Sequence, residues 1–236
     1  MKLHLGCGSV KLAGWINVDL ESPVADMHLD LRQPLPFNEG SVEFVFAEHF
    51  IEHVERHEAQ RLLSDLCRVL KPGGTIRLAT PDLRFLAATY LAGNINEWGD
   101  LWRPQTPAEL MNGGMRYWGH QYLYDAEDLE SLLFECGFTR RTYVNWRESS
   151  HEDLRQLETR PFHQDLIIEA SKPRLGEPVE GFVYTLQSER SWLERLQRQE
   201  RSYVEQLESE VARLNAELKN SIQPAPKTWL GRLLRG

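Results

Sequence analysis

The sequence has no excess of positive charge. Its 27 Lys and Arg residues are outnumbered by 35 Asp and Glu residues, which gives a net charge of -8 when the histidines are neutral. Proteins that bind nucleic acid present a basic face to the phosphates. We therefore expect no nucleic-acid partner.

Cysteine is scarce, and long apolar runs are missing. The chain has three cysteines, an odd number without close pairs, which does not make a disulfide framework and favours a reducing compartment. Lys2 is followed by a short apolar stretch that meets Gly6, so we expect no signal peptide. No apolar run is long enough to cross a bilayer. The expected location is the cytoplasm.

Short apolar strands alternate with helical stretches in the first part of the chain. Strands are predicted where β-branched and aromatic residues cluster, and a helix where apolar residues recur at helical spacing. The predicted strands are 3–5, 15–18, 25–29, 42–47 and 75–79, with a helix over 50–70. This alternation predicts an α/β fold of Rossmann-like type, with a mostly parallel sheet and helices on both faces.

The predicted elements divide the chain into four parts. The first is a domain over 1–171, in which residues 94–124, rich in Trp, Gly, Asn and Pro, form an insertion on the ligand side of the sheet. The domain ends with a helix over 125–136 and with strands 138–146 and 165–170, predicted as an antiparallel pair at the sheet edge. The other parts are a linker over 172–186, a coiled-coil helix over 187–220 and a basic amphipathic tail over 221–236.

The coiled-coil segment carries a heptad pattern. Val204, Val211 and Leu218 recur every seven residues, and Leu207 and Leu214 follow three residues after the first two. β-Branched residues at the first core position with Leu at the second favour a parallel two-stranded coil. This predicts a homodimer, and the alternative is a single amphipathic helix that packs on its own domain.

The tail over 221–236 has three basic residues and no acidic ones. Trp229, Leu230, Leu233 and Leu234 would form one apolar stripe on a helix. Such a stripe flanked by bases suits weak peripheral contact with a membrane, here the inner face of the cell membrane. The alternatives are a disordered terminus and a stripe that docks on the protein's own surface.

A glycine loop follows the first predicted strand. Glycines at Gly6 and Gly8, on either side of Cys7, let the backbone pass close to a ligand. Lys11 stands where a dinucleotide fingerprint has its third glycine, and only ten residues separate Gly8 from Asp19. A crossover helix does not fit in that length, so the connection is expected to be a loop. The spacing counts against NAD or FAD.

Acidic residues stand at the ends of successive predicted strands. Asp19 suits a carboxylate that accepts hydrogen bonds from a ribose diol, and Asp30 suits an exocyclic amine while the amide of Leu31 meets a ring nitrogen. Glu48 ends a further strand. Any one of these acids could simply cap its strand end. Together they would meet at the edge where open α/β sheets bind their ligands.

These motifs together resemble the class I S-adenosylmethionine-dependent methyltransferases, and within them a bacterial subgroup with a shortened first helix. The resemblance covers residues 1 to about 171. It is carried by LHLGCG at 3–8, GWINVD at 14–19, DL at 30–31, PLPF at 34–37, VFAEH at 45–49, EHV at 52–54, LKPGG at 70–74, YLY at 122–124 and ECGF at 135–138.

The resemblance implies S-adenosylmethionine as the cofactor and a set of residues that hold it. The implied set is Gly6, Cys7 and Gly8 beside the methionine part, Asp19 and Leu20 at the ribose, Asp30 and Leu31 at the adenine, and Glu48 and His49 near the sulfonium end.

Histidines are the candidate catalytic residues. If the acceptor is a hydroxyl, a general base assists the reaction, and the candidates are His49, His53 and His120. Each of these histidines could instead be a structural residue or simply an exposed one. His49, His53 and His57 are spaced four apart, with Glu52 beside the first two, which suits a metal. No cysteine or acid elsewhere completes a ligand set, so we expect no metal.

The predicted function is methyl transfer to a small-molecule or glycan acceptor. A sugar hydroxyl is preferred, because an aromatic-rich insertion suits stacking on a sugar ring and related layouts occur in bacterial surface-glycan pathways. A small aromatic metabolite is the second choice and a protein side chain the third. The alternative class is an inactive scaffold that recruits partners through the coil.

Overall fold

The protein was analysed as a computed structural model. The structure describes residues 1–93, 95, 102–160, 165–177, 208–209 and 211–219. The chain divides into two compact units, Met1–Tyr184 and Thr185–Gly236. The tail over 221–236, most of the predicted linker, the first part of the coiled-coil segment and part of the insertion lie outside the described residues.

The first unit holds a seven-stranded sheet and four α-helices among its described residues. The strands are β1 (Lys2–Leu5), β2 (Ile16–Asp19), β3 (Met27–His28), β4 (Val42–Glu48), β5 (Leu70–Pro81), β6 (Thr139–Tyr143) and β7 (Asp165–Ser171). The helices are α1 (Arg56–Val69), α2 (Leu83–Ala92), α3 (Pro107–Arg116) and α4 (Ala126–Glu135), with short 3-10 turns at Ile51–His53, Tyr117–Gly119 and Glu152–Leu154.

The strand order is β3-β2-β1-β4-β5-β7-β6. The first five strands pair in parallel, whereas β7 runs antiparallel to both β5 and β6. The Rossmann-like α/β sheet predicted from the sequence is therefore confirmed. The last two strands pair as predicted, although only β6 lies at the edge, because β7 is inserted between β5 and β6.

One face of the sheet is covered by α1 and α4. Helix α1 begins with a capping box in which the Glu58 side chain accepts a hydrogen bond from the backbone N–H of Glu55 at 3.1 Å. Its buried residues repeat at helical spacing and pack on the strands. They are Ala59, Leu62, Leu63, Leu66 and Val69.

The opposite face is covered differently from the prediction. Helices were expected on both faces, but among the described residues this face carries the irregular segment 144–160 with a single 3-10 turn. Leu154 and Leu157 pack there on Phe46. Arg77, fully buried, forms ion pairs with Glu158 and Glu169, each at 2.6 Å. A buried cation needs such partners, and the pair with Glu158 fastens the segment to the sheet.

The connection from β1 to β2 is a loop, as its length required. The buried side chain of Asn17 holds it, because its Oδ1 accepts from the N–H of Leu12 at 2.8 Å and its Nδ2 donates to the Leu12 carbonyl at 3.1 Å. With no helix in this connection, the loop after β1 and the end of β2 are brought close together. That placement forms one wall of the candidate site.

In the second unit, residues 208–209 and 211–219 are helical. Val211, Leu214 and Leu218 are exposed, and Arg213 pairs with Glu217 at 2.6 Å, four residues along the helix. Val204 and Leu207 lie outside the described residues. The helix agrees with the predicted one, while its pairing with a second copy stays a prediction. None of the described helices is long and apolar enough to span a membrane.

Candidate active site

A cleft of about 570 Å³ opens at the carboxyl ends of β1, β2 and β3. Its size is typical of a small-molecule site. Five of the residues predicted to hold the cofactor line it together: Gly6, Asp19, Leu20, Asp30 and Leu31. The topology thus brings the glycine loop and the first two strand-end acids to one edge.

Gly6 is at a position that only glycine fits. Its φ is +61°, and a Cβ there would lie 2.5 Å from Cδ2 of Phe50. Next in the loop, Cys7 is buried, and its N–H donates to the carbonyl of Val18 at 3.1 Å. The loop therefore passes directly against the wall that Phe50 contributes to the cleft.

The Asp19 carboxylate is held in place by backbone amides. Its Oδ2 accepts from the N–H of Gly8 at 2.9 Å, and its Oδ1 accepts from the N–H groups of Glu21 and Ser22, both at 3.0 Å. Burial opposes ionisation, but these hydrogen bonds lower the pKa of Asp19 below its ordinary value. A carboxylate offers about four acceptor positions, so room remains for a ribose hydroxyl.

Asp30 is paired with Arg32 in a forked arrangement. Arg32 donates from Nε to Oδ1 at 2.8 Å and from Nη2 to Oδ2 at 3.1 Å. These hydrogen bonds, together with one from the Arg32 amide, lower the pKa of Asp30. Exposed pairs of this kind contribute little stability, so a ligand amine can compete for the carboxylate.

Glu48 does not line the cleft; it holds the segment over 144–160. Its carboxylate accepts from the N–H and hydroxyl of Thr159, the hydroxyl at 2.8 Å, and from the N–H of Arg160 at 3.2 Å. The resemblance implied a place near the sulfonium end. The observed contacts make Glu48 a tether between β4 and the covering segment.

His49 lies between two buried carboxylates. Its Nε2 is 2.9 Å from Oδ2 of Asp165 and its Nδ1 is 3.2 Å from Oε1 of Glu52. Burial favours the neutral ring, but the two carboxylates raise the pKa of His49 to about 10. A ring that is protonated at neutral pH cannot accept a proton, so His49 does not suit the predicted role of general base.

His53 and His120 lie together beside the cleft. Their ring centroids are 5.0 Å apart, and His53 is part of the cleft wall. The Nδ1 of His120 is 2.8 Å from the carbonyl of Gly114, a contact that requires Nδ1 to carry the proton and leaves Nε2 as an acceptor. Burial lowers the pKa of His53, which favours the neutral ring. Both histidines were predicted from the sequence as candidate catalytic residues, but the contact between them was not.

Aromatic rings of the insertion extend outward from His120. The ring of Trp118 lies 5.7 Å from that of His120 and 5.4 Å from that of Trp102, and Tyr117 stacks edge-on with both tryptophans. Trp118 is 56% exposed and has a positive φ of 59°. The ring is thus presented to solvent next to the histidine pair.

Several residues of this region carry no sequence signal that could have identified them. Asp165 reaches His49 across 116 positions of the chain. Gln121 lines the cleft because its N–H donates to the carbonyl of Glu52 at 2.7 Å. Phe50 and Arg32 also line the cleft, and nothing in their local pattern distinguishes them from ordinary surface or core positions.

Comparisons with known proteins agree with this site. Residues 3–78 match the family model described as a methyltransferase domain. No curated protein matches the sequence.

Three solved structures illustrate the similarity. A methyltransferase from Archaeoglobus fulgidus described as dependent on S-adenosylmethionine is 16% identical, with a TM-score of 0.47 over 72% of this chain and 85% of that one. A second structure, from Thermotoga maritima, is 16% identical, with a TM-score of 0.46 over 72% of this chain and 81% of that one. A third, from Methanosarcina mazei, is 16% identical, with a TM-score of 0.45 over 73% of this chain and 92% of that one.

The matched range contains Gly6, Asp19 and Asp30, the residues that the cleft brings together. Over these residues the chain is similar to a methyltransferase domain, and this match supports an S-adenosylmethionine-dependent methyltransferase with S-adenosylmethionine as its cofactor.

Proposed function

We propose that the protein methylates a hydroxyl group of a sugar or glycan precursor. The observation that supports this acceptor is the row of rings from Trp118 through His120 to His53, which leads from an exposed aromatic face to the cofactor cleft. The short β1–β2 connection adds support, because the subgroup that the sequence resembles acts in bacterial surface-glycan pathways.

The residues of the cleft fit the cofactor. Asp19 keeps acceptor capacity that would serve the ribose, Asp30 and Leu31 would hold the adenine, and Gly6 would lie beside the methionine part, since all four line the cleft. When bound, S-adenosylmethionine supplies an electrophilic methyl group on a sulfonium. Transfer is an in-line displacement, so most of the catalysis is the positioning of the acceptor oxygen.

His53 is the proposed general base. The His53 ring would accept the hydroxyl proton while the acceptor oxygen receives the methyl group that bound S-adenosylmethionine would supply. A base with a pKa near or below neutrality suits this step. His120 stands behind His53, where it orients the ring through their edge-to-face contact.

Trp118 and Tyr117 are the proposed stacking platform. Exposed aromatic faces bind the apolar C–H face of a sugar ring while its hydroxyls remain free for hydrogen bonds. A small aromatic metabolite would stack on the same rings and is the second acceptor class. The two classes differ in polarity, so an acceptor panel separates them.

The test uses labelled S-adenosylmethionine with a panel of nucleotide sugars, glycan extracts and small phenols. We expect label in the sugar fraction, and we expect Trp118→Ala to raise the KM for the acceptor about two- to tenfold, with unchanged cofactor affinity, since it removes one aromatic stacking contact. Trp146→Ala, which removes a half-exposed tryptophan outside the insertion, is the matched control. Label in phenols alone would replace the sugar with the second acceptor class.

An inactive scaffold is the alternative function, supported by the exposed apolar residues of the helix at 211–219. Isothermal titration with S-adenosylmethionine and its demethylated product separates the two. A folded protein that binds neither compound would favour the scaffold.

We further propose a cytoplasmic homodimer that forms through the coiled coil over 187–220 and makes weak contact with the inner membrane face through 221–236. The membrane contact rests on the apolar stripe and bases of the tail, each base adding about 1 kcal/mol on anionic lipid. Co-sedimentation with anionic vesicles should pellet the full chain more than a chain that ends at Asn220. Equal pelleting would exclude the anchor.

A further inference from the structure

We propose that Glu52, His53 and His120 form a binding site for a divalent cation such as Zn²⁺, next to the cofactor cleft. One ligand atom from each residue lies within 4.8 Å of the other two. Two imidazoles and one carboxylate are the donor set of many zinc sites with three protein ligands. From the sequence we expected no metal, because no cysteine or acid elsewhere completed a ligand set with His49, His53 and His57. The contact between His53 and His120 comes from the fold.

The carboxylate of Glu52 is prepared for such a ligand. The side chain is fully buried, and its Oε2 accepts a hydrogen bond from the hydroxyl of Thr80 at 3.0 Å. Its Oε1 lies 3.2 Å from Nδ1 of His49. A carboxylate oxygen has two lone pairs, so Oε1 keeps one acceptor position for a cation on its other side.

His120 is held in the tautomer that a metal requires. Its Nδ1 proton is directed at the carbonyl of Gly114 at 2.8 Å, so the lone pair of Nε2 is available. A backbone carbonyl behind the ring is a common support for a metal-binding histidine, where it fixes orientation and raises basicity. The same contact ties the ligand to helix α3, which contains Gly114.

The ligand atoms need only a small closing movement. Nε2 of His53 lies 4.0 Å from Oε1 of Glu52. Bonds of about 2.0–2.1 Å to a tetrahedral ion bring ligand atoms to about 3.4 Å from each other. The His53 side chain is 31% exposed and can rotate, whereas Glu52 is fixed. A rotation of the His53 side chain can therefore shorten its distance to Glu52 to the one that a shared ion requires.

This site deepens the proposed function, and its catalytic role rests on that proposal. Three protein ligands leave a fourth position for a substrate oxygen. An acceptor hydroxyl bound there has a lowered pKa and loses its proton to solvent water, so the cation replaces His53 as the group that activates the hydroxyl. The binding of the ion itself does not depend on which acceptor is used.

The test is a metal titration of the full chain after dialysis against a chelator. Calorimetry with ZnCl₂, and absorption spectra with CoCl₂, should show one ion per chain, with the intense visible bands of a four-coordinate cobalt site. His53→Gln and His120→Gln should each weaken Zn²⁺ binding about 10- to 100-fold. His57→Gln, which changes an exposed histidine outside the cluster, is the matched control and should bind as the unchanged chain does.

Circular dichroism and thermal unfolding report whether each variant is folded. Equal weakening in His57→Gln, or no loss in folded His53→Gln and His120→Gln, would overturn the site. Sugar methylation by the full chain that continues at the same rate after the ion is removed with a chelator would overturn the ion's catalytic role and keep the proposed function. Tight binding of Zn²⁺ through these histidines without sugar methylation would keep the site and overturn the acceptor.

Discussion

Two neighbouring parts of the proposed active site are built by different means. At the proposed cofactor end, in the cleft, Asp19 is held by amides of Gly8, Glu21 and Ser22, all within eleven residues of it. At the proposed reacting end, behind the cleft wall, His49 is held by Asp165, 116 residues away. Backbone hydrogen bonds within a loop form with that loop, whereas the charged cluster requires the complete sheet. The cofactor end should therefore tolerate damage elsewhere, and the reacting end should not.

The largest effect should come from the reacting end. His49→Asn removes the cation between two buried carboxylates, while Asn still accepts the positive φ of 51°. We expect a loss of about 3–5 kcal/mol in the free energy of unfolding, measured with urea. Affinity for S-adenosylmethionine in the folded variant should change little. If His49 were instead the general base, His49→Asn would lower the turnover rate without lowering the free energy of unfolding. The control is His57→Asn, which should change neither quantity.

The next effect is expected at the glycine loop. In Gly6→Ala, a non-glycine residue at a positive φ costs about 1–2 kcal/mol of folding free energy. The clash of the new Cβ with Phe50 costs about 1–3 kcal/mol more. Calorimetry should show that cofactor binding is lost or strongly weakened. Gly40→Ala has the same strain without a nearby atom, and should lower the melting temperature while leaving affinity unchanged. Similar affinities for the two variants would contradict the close approach at Gly6.

Asp19→Ala should have a smaller and more specific effect. It removes a charge-assisted hydrogen bond to the ribose, which corresponds to about 1.5–3 kcal/mol, or roughly a 10- to 150-fold weaker cofactor affinity. The fold should persist, because the residue is at a strand end. Glu21→Ala, an exposed neighbour, is the control. A folded Asp19→Ala variant with normal affinity would remove Asp19 from the ribose site.

The smallest effect on the cleft is expected from truncation. A chain that ends at Glu177 retains every described strand and should bind S-adenosylmethionine as the full chain does. Light scattering should give a monomer for this chain and a dimer for the full chain, because the heptad residues are removed. A full chain that scatters as a monomer at micromolar concentration would refute the coiled coil.

The sequence was most informative where the structure is local. Gly6, Asp19 and Asp30 lie close together in the chain and follow consecutive parallel strands, so strand ends alone were enough to place them at one edge. The absence of a helix between β1 and β2 followed from length. These are features that periodicity and spacing describe.

The sequence was less informative where contacts are distant. The roles of His49 and Glu48 depend on Asp165 and Thr159, and no local pattern links those positions. The covering segment 144–160 was not predicted either, because its irregular backbone has no periodicity and is held by ion pairs of Arg77. The contact of His53 with His120 depends equally on the docking of the insertion.

The insertion of β7 between β5 and β6 has a consequence for synthesis on the ribosome. Pro81 at the end of β5 pairs with Asp165, which the ribosome adds 84 residues later. At a translation rate of about 5–20 residues per second, the outer edge of β5 stays unpaired for about 4–17 seconds before β7 is synthesised. An unpaired apolar strand edge is a template for aggregation during that interval. The nascent chain should therefore depend on chaperones until β7 emerges, and synonymous codons that slow translation between α2 and β7 should lower the soluble yield.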